Sequence, residues 1–142
     1  MAWKSKCKIT VLRKDYHADL AREYLANPEV GPCSVFQEGQ EFLVDKQNYL
    51  TMLDGKFCAE AWHAISHYVY AALQGGSIMH GWTNDEKIMI AACNDGIRPV
   101  LFKIERLDEE YRRKKEPSEE GSFFYLVMWA QWGGRICGKI SS

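Results

Sequence analysis

The longest segment with one unbroken period runs from Phe57 to Gly76, FCAEAWHAISHYVYAALQGG. At about 100° per residue, Cys58, Ala61, Trp62, Ile65, Tyr68, Val69, Ala72 and Leu73 fall on one face, and Glu60, His63, His67, Tyr70 and Gln74 on the other. This predicts an amphipathic helix over 57–74, stopped by Gly75-Gly76. Elsewhere the period is two. Cys7, Ile9 and Val11 alternate with Lys6, Lys8 and Thr10, and Val100, Phe102 and Ile104 alternate with Lys103 and Glu105. Strands are predicted near 6–13, 40–45, 87–93 and 99–107. The last two form a hairpin across NDGIRP, where Asp95-Gly96 is expected to supply positive φ. A short helix is predicted over 15–26, with Asp15 as its N-cap and a stripe of Leu20, Ala21, Tyr24 and Leu25, ended by Asn27-Pro28. The run SFFYLVMWAQW suits a fifth strand, buried on both faces, near 122–132.

The predicted fold is α+β: a mostly antiparallel sheet packed by the long helix, with the short N-terminal helix at an edge or end. Residues 1–107 form the compact domain and 108–120 a charged linker or helix extension. Residues 121–142 carry the aromatic strand that completes the sheet or makes an interface. There Phe123, Tyr125, Trp129 and Trp132 are the expected interface residues, for a homo-oligomer or a larger protein partner.

Composition narrows the class. A chain of 142 residues, 46% apolar and 26% charged, is of one-domain size and ordinary for a soluble globular protein. A net charge of −1 offers no electrostatic argument for nucleic acid or anionic membrane. No apolar run reaches the roughly 20 residues of a membrane span, and MAWKSKCKITVL has no apolar signal core. A cytoplasmic protein is expected. Five cysteines without a CxxC pair fit reduced thiols.

Three segments, GPCSVFQEGQEF (31–42), FCAEAWHAI (57–65) and ACNDGIRPVLFKIER (92–106), give the chain a family likeness. Over about 6–107 it resembles an uncharacterised family of short prokaryotic proteins, of about ninety to a hundred residues. The resemblance implies no activity. It does include Cys33, Cys58 and Cys93, one in each segment.

Those cysteines carry the first candidate chemistry. Brought together, they could ligate zinc or an iron–sulfur cluster, or work as a thiol redox pair. Apart, each is a small buried hydrophobe. Their spacings of 25 and 35 residues match no strong metal signature. His63 and His67 stand four apart on the helix with Glu60 a turn earlier, a spacing that suits a surface metal pair or a solvated face. The helical period sets that pair opposite Cys58. His80 and Trp82 follow the double glycine in a loop, and Asp95 and Arg98 sit in the hairpin loop. Together they are candidate binding residues for a small-molecule pocket, with turn chemistry and an Asp95–Arg98 ion pair as the plainer reading. No P-loop, GxGxxG, GxSxG or HExxH is present. Three functional classes remain: a small binding or accessory protein, a metal or thiol-redox protein, and a small-molecule enzyme with a Trp/His/Arg pocket.

Overall fold

A computed structural model describes residues 5–108. The elements are β1 (Lys6–Lys14), α1 (Ala18–Tyr24), β2 (Glu41–Val44), α2 (Lys46–Leu50), α3 (Ala59–Leu73), β3 (Ile88–Ala92) and β4 (Val100–Leu107). The strands form one antiparallel sheet in the order β2-β1-β4-β3, so the fold is mixed α+β. The segment from 109 onward, with the predicted linker and aromatic strand, lies outside the described residues.

Register explains the core. Phe42, Ile9, Ile104 and Met89 line up across the four strands, with Val11, Phe102 and Ala91 in the next inward row. Cys7, Ile9, Val11, Val100, Phe102 and Ile104 are fully buried, as a period of two requires when one face meets a core. The β1–β4 register shifts between Val11 and Arg13, a bulge that leaves Leu12 and Arg13 exposed. On the outer face Lys8 stands 3.8 Å from Glu41 and 3.7 Å from Glu105, bridging three strands.

Helix α3 lies against β1, β3 and β4. It buries Ala61, Ile65, Val69, Ala72 and Leu73 and leaves His63, His67 and Tyr70 exposed. Its C-terminus is closed by Gly75 N–H to the Ala72 carbonyl and Gly76 N–H to that of Ala71, a Schellman pair made possible by φ +76° at Gly75. Arg106 Nη1 donates to the Gly75 carbonyl at 3.0 Å and locks this end to β4.

Two local expectations are corrected. The first helix is shorter than 15–26, and Asp15 does not cap it; His17 holds the N-cap position without a side-chain bond. Asp15 N–H donates to the Pro99 carbonyl and His17 N–H to that of Ile97, which holds this stretch out of the helix. Leu20 and Tyr24 are 38% and 70% exposed, so the predicted stripe is not a core face; Ala21 is the buried residue of α1. In the hairpin loop, Gly96 does not take a positive φ.

The stretch 46–56, which has no clear period, folds by capping. Asp45 accepts the N–H groups of Gln47 and Asn48 while Asn48 returns Oδ1 to the Asp45 N–H, a closed box that starts α2. Met52, Leu53 and Asp54 then run at φ 52°, 56° and 57° into Gly55 at 72°. A left-handed turn of non-glycine residues is costly, about 1–2 kcal/mol per residue. Burial of Leu53 against the core offsets part of that cost.

Candidate functional site

The loop of residues 25–40 is held on the domain by specific bonds. Lys14 Nζ donates to the Cys33 carbonyl at 3.0 Å, and the Lys14 backbone N–H donates to Glu38 Oε1 at 3.0 Å. Gly39 N–H reaches the Val11 carbonyl at 2.8 Å. Phe36 is the hydrophobic anchor: 2% exposed, it packs edge-on against Phe102 at 5.2 Å and tilted on Phe57 at 5.1 Å. Cys33 is thereby fixed beside the core.

Cys58 is the N-cap of α3, half-buried, with no capping bond from its side chain. It sits at the helix end, packed against the core from there. Cys93 follows the last residue of β3. Its N–H donates to the Val100 carbonyl at 3.0 Å, and its Sγ accepts the Val100 N–H at 3.4 Å. From there Asn94 Nδ2 reaches across to the Glu60 carbonyl at 3.1 Å, tying the hairpin loop to the first turn of α3.

These three supports enclose one cleft of about 350 Å³. The loop contributes Cys33, Val35 and Phe36; α3 and its cap contribute Cys58, Glu60 and Ala61. The hairpin contributes Cys93, Asn94, Asp95, Arg98 and Val100. The three cysteines of the sequence segments thus line a single opening. Cys7 does not join them: it is fully buried under the sheet, and burial pushes its thiol up to about 12.

Asp95 and Arg98 form the polar wall. Asp95 Oδ1 accepts the backbone N–H groups of Ile97 and Arg98, each at 2.9 Å, and Oδ2 accepts Arg98 Nε at 3.3 Å. The backbone N–H of Arg98, then that of Ile97 and the guanidinium, hold the Asp95 carboxyl below its ordinary range. The same two residues line a second cleft of about 310 Å³, bounded by Leu25, Ala26, Asn27 and Val30. Among the described residues, the Nη groups of Arg98 make no hydrogen bond.

The remaining candidates lie elsewhere. His80 and Trp82 line neither cleft; the His80 ring pairs with Glu86 at 3.0 Å, and Trp82 is 78% exposed. The pocket expected from His80, Trp82, Asp95 and Arg98 is therefore split, and the cysteines replace its His/Trp half. His63 and His67 are both exposed on α3, and the His67 ring lies 3.9 Å from that of Tyr68. Among the described residues no three His, Cys, Asp or Glu side chains stand close enough to hold a metal ion. That applies to Cys33, Cys58 and Cys93 and to Glu60 with the two histidines. Phe123, Tyr125, Trp129 and Trp132 lie outside the described residues.

Sequence reasoning separated the cysteines from the hairpin loop, read Asn94 as turn chemistry in that loop, and passed over Phe36 and Lys14 as site-builders. The available signal was positional: Phe36 and Asn94 belong to the same short segments as Cys33 and Cys93. No helix among the described residues is long and apolar enough to cross a membrane. Comparison of the chain with known protein families, curated proteins and solved structures finds no match.

Proposed function

We propose that this is a thiol-dependent protein acting on a small molecule held in the cleft of Cys33, Cys58 and Cys93. One observation carries the reading: three cysteines distant in sequence line one opening, together with a guanidinium and an apolar wall. A cleft of about 350 Å³ lies near the small end of the range for ligand pockets, roughly 300–1,000 Å³. Thiols that open on a ligand-sized space can be attacked by, or attack, what enters it; thiols buried as hydrophobes cannot. The lack of a three-ligand metal cluster among the described residues favours free thiols over zinc or an iron–sulfur centre as the working groups.

The test is thiol–disulfide exchange with a small aromatic disulfide, followed cysteine by cysteine through peptide mass. Reaction at the three cleft cysteines of the folded protein is expected to exceed that at Cys7 by orders of magnitude. Serine substitution at each should remove its share. Cleft cysteines as unreactive as Cys7 in the folded state would defeat the reading.

A further inference from the structure

We infer that the cleft takes a small zwitterionic disulfide of the amino-acid type, an inference that rests on the thiol reading above and names its substrate. Charges of both signs face the same opening. Arg98 spends Nε on Asp95, while its two Nη groups make no hydrogen bond among the described residues. A guanidinium with two amino groups in one plane matches a carboxylate in paired bonds. Asp95 cannot serve as the acceptor of a ligand ammonium with equal ease, since both its oxygens are already engaged. Glu60 can. It lines the cleft from the first turn of α3, and among the described residues its carboxylate is in no hydrogen bond or ion pair.

Size and wall chemistry agree with those charges. Val35, exposed on the loop, offers apolar surface for a short methylene chain, and Cys33, Cys58 and Cys93 line the same space. The second cleft, of about 310 Å³, borders the same Asp95 and Arg98.

The chemistry balances without another reagent. A cleft cysteine attacks one sulfur of the ligand disulfide as its thiolate. The ligand S–S bond breaks as a protein–ligand S–S bond forms, and the departing half leaves as a thiolate that takes up the proton given up by the cysteine. The cysteine sulfur is oxidised and the departing sulfur reduced.

Three disulfides of similar size and different charge test this on the full chain: cystine (zwitterionic), cystamine (dicationic) and 3,3′-dithiodipropionate (dianionic). The rate of mixed-disulfide formation at each cleft cysteine is read by peptide mass and divided by its rate in the urea-unfolded chain. That ratio should be about tenfold higher for cystine than for either of the others, the worth of one charged hydrogen bond. Arg98→Gln should release the bar on cystamine, and Glu60→Gln that on dithiodipropionate. Equal ratios for all three reagents would overturn the zwitterion inference and leave the thiol reading standing. No cleft cysteine reacting with any of them beyond the level of buried Cys7 would overturn both. The three-reagent comparison on the unaltered protein decides the matter even if a variant fails to fold.

Discussion

Asn94 donates its side-chain amide to the carbonyl of Glu60 at 3.1 Å, joining residues 34 positions apart. That bond sets the loop after β3 against the start of α3, and so sets Cys93 beside the cleft that Cys58 enters from the other wall. Replacing Asn94 with Ala should cost about 1 kcal/mol, the ordinary net worth of one hydrogen bond. Denaturant titration measures that loss. The more telling readout is the reactivity of Cys58 and Cys93, which should change together in this variant while that of Cys33 stays near its original value.

Phe36 anchors the loop that carries Cys33. Its ring meets Phe42, Phe57 and Phe102 at 6.0, 5.1 and 5.2 Å. Phe36→Ala should lower stability by roughly 3–5 kcal/mol, as expected for truncating a buried aromatic. At temperatures where the variant remains folded, Cys33 should become the fastest to alkylate of the four cysteines among the described residues.

The Asp95 carboxyl is held below its ordinary range by the Arg98 and Ile97 N–H groups and the guanidinium. A depressed folded value means the native state binds the proton less tightly than the unfolded chain. The resulting stability is present above the unfolded value, about pH 3.9, and is lost as pH falls through the folded one. The side chain is 41% exposed, so water screening limits this contribution to less than about 1 kcal/mol. Asp95→Asn should be less stable than the parent at pH 7, and the gap should narrow as pH falls below the unfolded value; urea titrations across that range check it.

Cys7 gives the opposite slope. Burial raises its thiol to about 12, above an unfolded value of about 8.5. The contribution is fully present below that unfolded value and is lost as pH rises toward 12. Cys7→Ala should therefore lose less stability than the parent between pH 8 and pH 10.5. Stability curves at those two pH values, compared as differences, isolate the effect.

The strands were legible because a sheet with one face on a core enforces alternation: Cys7, Ile9 and Val11, like Val100, Phe102 and Ile104, are buried at every second position. Helix α1 was legible in place but not in extent. Its start is set by bonds from Asp15 and His17 to carbonyls of the hairpin loop, 84 and 80 residues away in the chain, and no local pattern encodes that. The site was half legible. The cysteine segments pointed to Cys33, Cys58 and Cys93, whereas their convergence depends on Lys14 holding the Cys33 carbonyl, on Phe36 in the aromatic cluster and on Asn94 reaching Glu60. His80 and Trp82 stood out by residue type in a loop, but that loop turns on Glu86 and Met79, away from the cleft.

The central claim is that three cysteines share one small space, and statistical analysis of partial labelling tests it most directly. The folded protein is treated with enough N-ethylmaleimide to label about half of the cleft cysteines, and intact mass with peptide mapping then counts single and multiple adducts among Cys33, Cys58 and Cys93. A shared cleft of about 350 Å³ predicts that one adduct obstructs the next, so doubly labelled chains fall well below the product of the single-site frequencies. Labelling that follows that product, with each cysteine indifferent to the others, would contradict the shared cleft and the function built on it.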